Sequence, residues 1–395
     1  MIEGALAAGL ASVGVSVRSG GVLPTPAVAE LVAFNEHLAA GVVISASHNP
    51  FPDNGIKLFG ADGFKLPDVE ESAIEAALDL AGERPTGVAL GAIDGWQDAR
   101  TDYLERLLER LPERLDGLDV VIDCANGATV STAHAALTQL GARVTVIADQ
   151  PDGVNINVAC GSTHLDLIAS TVVAGRHDLG LAFDGDGDRV LAVSGDGAVV
   201  DGDQILAVLA LDLHTRGLLP HATVVTTTMT NLGFRRAMRE AGIEVRWTDV
   251  GDRYVLAEMR SKGFALGGEQ SGHLINLGHG PTGDGLAAGI QLIGALIRTG
   301  RTLAEAASVM TRLPQRLVNL RVGRKEDLTA ATAVWDAVAA CERELGDDGR
   351  VVVRPSGTEP LVRIMVEAPT EAECDRWCEE LSGVTIAALG GLASD

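Results

Sequence analysis

The chain has 395 residues, 46% hydrophobic and 22% charged, a composition that fits a globular protein of two to four domains and excludes a disordered one. Its 31 basic and 54 acidic residues give a formal charge of −23, which repels a nucleic-acid backbone yet allows a small phosphorylated ligand held by a few local arginines. The five scattered cysteines, Cys124, Cys160, Cys341, Cys374 and Cys378, read as reduced thiols, and the opening segment carries Glu3 where a signal peptide has its basic start, so a cytoplasmic protein is expected.

Helical and strand-like segments alternate along most of the chain. An Ala/Leu-rich helix over 3–13 leads into a strand at 15–17, then PTPAVAELVAFNEHL reads as a helix with Thr25 as its N-cap and Pro26 at its first position. The strand Val42–Ile44, an acidic amphipathic helix over 69–81 and a loose GERPTGVALGAIDG linker complete a first unit, 1–95. A second unit, 96–197, holds a helix at TDYLERLLERL, the strand DVVIDCANG, a helix over 129–140, the strand RVTVIA, a helix over 165–175 and the strand LGLAF. A third, 198–312, repeats the alternation with helices over 203–215, 232–241, 252–261 and 284–298 and strands at TVVTT and EVRWT. After Leu313-Pro314 the pattern changes to VNLRV, a helix over 327–345, RVVVRPS, LVRIMVEA and a helix over 370–382, a smaller α+β unit covering 313–395. The fold class is therefore α/β, three related α/β domains plus a smaller C-terminal α+β domain. No apolar stretch is long enough to span a membrane.

Four stretches carry chemistry. In SASHNPFPDNGIK a strand delivers Ser47 into a stiff polar loop. Its hydroxyl is the candidate nucleophile, with His48 and Lys57 as candidate catalytic partners. No G-x-S-x-G surrounds it, which speaks against an acyl-transfer triad. In LGLAFDGDGDR, Asp184, Asp186 and Asp188 alternate with glycine, so an extended backbone projects all three carboxylates to one side. Such a trio repels itself unless a cation sits among it, and all-oxygen ligation suits Mg²⁺ or Ca²⁺. An EF-hand does not fit, because Gly195 stands where a bidentate glutamate is required. The neighbouring SGDGAVVDGDQ reads as a solvated acidic turn. GGEQSGH sets Glu269, Ser271 and His273 on a mobile loop suited to reading sugar hydroxyls. RPSGTEPLVR offers Arg354 and Arg363 as guanidinium forks and Ser356, Gly357 and Thr358 as hydroxyl and N–H donors to an anion.

Together SASHNP, DGDGDR, GEQSGH and RPSGTEP, in this order and spacing, resemble the α-D-phosphohexomutases, and Gln270 resembles the glucosamine branch of that family rather than its phosphomannomutase/phosphoglucomutase branch. The resemblance implies four domains around a central cleft, each giving one loop. It implies phosphorylation of Ser47, Mg²⁺ bound by that phosphate with Asp184, Asp186 and Asp188, sugar contacts from Glu269 and Ser271, with His273 in the same loop, and a distal-phosphate site of Arg354, Ser356, Gly357, Thr358 and Arg363. The implied reaction interconverts glucosamine 6-phosphate and glucosamine 1-phosphate through a bound 1,6-bisphosphate, in a monomer or homodimer with no nucleic-acid or membrane partner. Glucosamine or glucose 1,6-bisphosphate, or a protein kinase, would prime Ser47. Members of the family open with a further α/β segment bearing a threonine–aspartate–glycine–arginine-type loop, absent before Met1, so a shortened first domain and a catalytically impaired sugar-phosphate-binding homologue are also expected possibilities. A haloacid-dehalogenase-like phosphatase, with Asp184 as nucleophile, is the enzyme alternative.

Overall fold

An apolar run with no polar face, Leu179–Phe183, is buried at all five positions in the centre of a five-stranded sheet. This computed structural model describes residues 1–395 except 79–81, 83, 112, 357–359 and 392–395. Arg143–Ile147, Asp119–Asp123 and Leu179–Phe183 run parallel, and Val190–Ser194 and Val199–Val200 close the sheet antiparallel. Val121, Ala182 and Val193 on the sheet pack with Ile168 and Val172 of the helix Asp166–Gly175. Each such fully buried aliphatic side chain contributes about 1.5–3 kcal/mol. The DGDGDR loop leaves the carboxyl end of the central strand, the edge at which open α/β sheets bind ligands.

The chain forms two compact units, residues 1–229 with 241–309, and residues 230–240 with 310–395. The larger unit holds a second sheet in which Thr223–Thr227 lies parallel to Glu244–Thr248 and to Leu266–Gly268, itself paired antiparallel with Leu274–Asn276. GGEQSGH thus runs through a hairpin turn whose flanking strands pair with each other. Ala40–Ser45 pairs antiparallel with Gly55–Gly60, so the serine loop is also a hairpin connection.

Several local expectations shift, each for a visible reason. The helix Thr25–Ala33 has Pro24 as its cap; the Thr25 hydroxyl, expected to cap it, donates instead to Asp186 Oδ2 at 2.6 Å, a charged acceptor. The linker GERPTGVALGAIDG returns to structure at its end, where Ile93–Gly95 pairs parallel with Val17–Ser19. The helix expected over 129–140 is a 3₁₀ turn, Ala128–Ser131, followed by Ala133–Gln139, because Ser131 and Thr132 turn their hydroxyls back onto the carbonyls of Ala128 and Thr129. The helix expected over 327–345 likewise begins as the 3₁₀ segment Lys325–Ala330 before Thr332–Leu345, with Trp335 Nε1 donating to the Leu328 carbonyl at 2.9 Å. The acidic helix is Asp68–Ala77, and its expected last residues 79–81 lie outside the described ones. In SGDGAVVDGDQ, Asp201 and Asp203 are buried rather than solvated. Asp201 caps the helix Gly202–Thr215 in a reciprocal box with Gln204.

In the smaller unit a three-stranded antiparallel sheet, Gln315–Arg321, Leu361–Glu367 and Arg350–Pro355, packs on the helices Thr332–Leu345 and Glu371–Leu389. Val334, Cys341, Ile364, Val366, Trp377 and Leu381 fill its core. Glu367, fully buried, is paired with Arg350 and accepts from the backbone N of Leu232, so the start of the helix Leu232–Glu240 rests on a neutralised carboxylate. All five cysteines are free and buried. Among the described residues no helix is long and apolar enough to cross a membrane.

Candidate functional site

The three aspartates converge as their alternation requires. Asp184, Asp186 and Asp188 are all buried, and one oxygen from each lies within 4.8 Å of the other two. Asp184 Oδ2, Asp186 Oδ1 and Asp188 Oδ1 have no hydrogen-bond partner. An orphaned buried carboxylate oxygen costs about 1–3 kcal/mol, more when charged, so three together mark a place for a cation. Burial, joined by the charges of Asp188 and Asp186, pushes Asp184 well above the usual carboxylate range. Burial acts the same way on Asp188, but His273, Lys57 and Arg189 outweigh it and hold that carboxyl well below. The donor set fits a hard divalent ion such as Mg²⁺ and contains no nitrogen or sulfur to favour zinc.

Ser47 stands directly over this loop. Its φ is +52°, a left-handed conformation rare outside glycine. Its backbone N donates to Ser45 Oγ at 2.8 Å, and its carbonyl packs on Gly185, where a Cβ would fall 2.5 Å from the Ser47 oxygen. Glycine at 185 is therefore a steric requirement of the encounter between the two loops. The exposed His48 holds Nδ1 3.4 Å from Ser47 Oγ, the long end of a hydrogen bond. Lys57, from the strand that follows, reaches Asp186 at 2.6 Å and Asp188 at 3.0 Å. Burial would lower its ammonium, yet the two carboxylates together raise it above its ordinary value.

Ser47, Lys57, Lys65, Asp188, Arg189, Asp252 and the hairpin turn 269–273 line one cavity of about 470 Å³, a volume suited to a hexose bearing phosphates. Glu269 accepts from the Gly251 N–H at 3.1 Å, and Ser271 opens onto the cavity. His273 is buried, with Nδ1 3.5 Å from Asp188 Oδ1, so it faces the aspartate loop as well as the cavity. In the smaller unit, Arg354 and Arg363 are direct cross-strand partners on Arg350–Pro355 and Leu361–Glu367. Ser356 is buried, its N donating to the Leu361 carbonyl and its own carbonyl accepting from Lys325 Nζ at 2.9 Å. Gly357 and Thr358 lie outside the described residues.

Sequence reading missed Thr25, Lys65, Asn157, Asp252 and Lys325. Arg189 could have been found, since it closes the DGDGDR motif. The others bear no local signal and meet their partners only through the fold: Lys65 pairs with Asp252, 187 residues away.

Comparison with known proteins joins the two units to one family. The models of phosphoglucomutase/phosphomannomutase α/β/α domains I, II and III match residues 1–84, 101–197 and 201–313, and that of the C-terminal domain matches 317–384. The phosphoglucosamine mutase of Saccharopolyspora erythraea is 54% identical over 98% of this chain and 87% of its own length. That of Rhodococcus opacus is 52% identical with the same coverage. Among solved structures, a phosphoglucomutase/phosphomannomutase family protein of Burkholderia thailandensis superposes with a TM-score of 0.83 at 24% identity, over 99% of this chain and 87% of that one. The N-acetylphosphoglucosamine mutase of Aspergillus fumigatus, solved with GlcNAc-6P and magnesium, shares the fold at a TM-score of 0.67 and 18% identity over 92% of each chain. The chain belongs to the phosphoglucosamine mutases, isomerases of four-domain α/β architecture that act on phosphosugars.

Proposed function

We propose that the chain interconverts glucosamine 6-phosphate and glucosamine 1-phosphate with Mg²⁺, through a phosphoserine at Ser47 and an enzyme-bound 1,6-bisphosphate. One observation carries this reading: the three orphaned oxygens of Asp184, Asp186 and Asp188 lie beneath a serine whose backbone packs on Gly185. Asp184, Asp186 and Asp188, with an oxygen of the Ser47 phosphate, would hold the ion, which would neutralise charge on the transferring oxygens.

In the first half-reaction the bond between Ser47 Oγ and phosphorus breaks as O1 of glucosamine 6-phosphate bonds to phosphorus, and the proton that O1 gives up ends on Ser47 Oγ. Lys57, paired with two of the aspartates, carries positive charge beside the transferring group. After the 1,6-bisphosphate reorients, Ser47 Oγ takes the 6-phosphoryl group and glucosamine 1-phosphate leaves. Glu269 and Ser271 would hold sugar hydroxyls, with His273 behind them. Arg354, Ser356, Gly357, Thr358 and Arg363 would hold the phosphate that is not reacting. The product would feed UDP-N-acetylglucosamine synthesis in the cytoplasm. Glucose 1,6-bisphosphate is a fitting primer, because an Aspergillus fumigatus N-acetylphosphoglucosamine mutase has been solved with it.

Tryptic mass spectrometry after incubation with glucose 1,6-bisphosphate and Mg²⁺ tests the reading. An acid-stable phosphate on Ser47, with formation of glucosamine 1-phosphate in a coupled assay, is expected. An acid-labile acyl phosphate on Asp184 would instead identify a phosphatase-type enzyme. Full burial of Asp184 beneath the cavity-lining Asp188 weighs against that outcome.

A further inference from the structure

Between the two hairpins of the site lies a segment that no motif includes, DGVNINVACG, and one of its residues reaches the serine loop. Asn157 is buried, and its side-chain amide donates both protons, to the Ser47 carbonyl at 2.8 Å and to the Asn49 carbonyl at 2.8 Å. Only the NH₂ end can face two carbonyl oxygens, so the chemistry fixes the orientation of the amide. Its own backbone is left-handed, φ +59°, a conformation asparagine tolerates, and its N–H donates to the Ala125 carbonyl. Asn157 Nδ2 also lies 2.8 Å from where a Cβ on Gly185 would stand, so the amide, the Ser47 carbonyl and the middle of the aspartate loop meet at one point.

The consequence for Ser47 is specific. Its N–H is held by Ser45 Oγ and its C=O by Asn157, so both backbone groups are fixed and only the side chain, in long contact with His48 Nδ1, is left to turn. Resting on the reading of Ser47 as the phosphoryl carrier, we infer that Asn157 is a positioning residue that fixes the direction of Ser47 Oγ over the aspartate trio through both half-reactions. A phosphoryl carrier used twice per turnover, with a reorienting intermediate between, needs its oxygen in the same place each time. An error of about 1 Å in such a placement costs on the order of a hundredfold in rate.

The test follows transfer from radiolabelled glucose 1,6-bisphosphate to the full chain with Mg²⁺. Two variants separate positioning from folding: Asn157→Asp keeps size and shape but replaces both donors by acceptors, and Asn157→Gly keeps the left-handed backbone without the amide. For each, the single-turnover rate of Ser47 labelling is expected to fall by at least about tenfold. The bisphosphate concentration giving half-maximal rate is expected to stay within about threefold, and the thermal midpoint within about 4 °C, of the wild type. A labelling rate within twofold of wild type in the folded variants overturns the inference and leaves the mutase reading intact. So does a loss that lies wholly in the half-saturating concentration. Failure of the wild-type chain to label Ser47 overturns the mutase reading, and the inference with it. If Asn157→Asp does not fold, Asn157→Gly carries the same decision.

Discussion

Two loops of this chain are spelled almost alike, Asp184-Gly-Asp186-Gly-Asp188 and Asp201-Gly-Asp203, and both bury their carboxylates. In the second, Asp201 finds partners for both oxygens: it accepts from the backbone N of Gln204 at 3.1 Å, starting a helix, and from Gln270 Nε2 at 3.5 Å. In the first, each aspartate has one oxygen that accepts a hydrogen bond and one that accepts none, although Asp188 Oδ1 lies 3.5 Å from His273 Nδ1. Thr25 and Lys57 bind Asp186 Oδ2, the Arg189 N–H binds Asp184 Oδ1, and one oxygen of each aspartate lies within 4.8 Å of the other two. Burial alone does not mark a metal loop. What sets the first loop apart as a candidate metal site is three such carboxylates brought within reach of one ion.

The largest test of that contrast is Asp186→Ala. Turnover with Mg²⁺ is expected to fall by at least about a thousandfold, because the ion loses a ligand at the transferring oxygens. Mg²⁺ is expected to raise the thermal midpoint of the wild type and not that of the variant, a readout independent of activity. Retained activity with Mg²⁺ would dissolve the distinction between the loops.

A smaller effect is expected at Arg354, proposed to hold the phosphate that does not react. Arg354→Ala should raise KM by about thirtyfold and leave kcat within about threefold, since it loosens a phosphate that does not react. Initial-rate kinetics with glucosamine 6-phosphate check this, and a loss confined to kcat would reassign the residue.

Asp252 supplies a third kind of aspartate, half-buried and matched by fixed charge. Burial would raise its carboxyl, but His273 and Lys65 outweigh it and bring it from 3.8 down to about 2. Because the shift is downward, its stabilisation, about 2 kcal/mol, is present above pH 3.8 and is lost as pH falls toward 2. Denaturation of wild type and Asp252→Asn should therefore differ near pH 6 and converge near pH 2. A constant difference would refute the charge account. The smallest effect belongs to the helix cap. Asp201→Ala should cost about 1 kcal/mol of stability by denaturant melting and change kcat/KM by less than about threefold.

The order of helices and strands was legible because hydrophobic periodicity is local, and the long buried strand Leu179–Phe183 showed it best. Breaks within helices were not, since Ser131 and Trp335 act through side-chain bonds that periodicity does not register. Of the site, Ser47 and the aspartate trio were legible, each condensed into a few adjacent residues of unusual chemistry. Thr25 and Asn157 were not: they bind their partners across 161 and 110 residues, and alone each looks like an ordinary turn or helix-start residue. That 269–273 is a hairpin turn was not legible either, because its glycines signal a loop and the short flanking strands Leu266–Gly268 and Leu274–Asn276 pair only in the fold.

The buried thiols turn the molecule into its own reporter of opening. Burial pushes Cys124 and Cys341 up to about 12 and Cys160 and Cys378 up to about 11. At neutral pH almost none of each is thiolate, the form that alkylating reagents attack. Modification therefore waits for local or global opening. Cys124 and Cys160 belong to the larger unit and Cys341, Cys374 and Cys378 to the smaller one, so the peptide that first takes up iodoacetamide under mild denaturant names the unit that gave way.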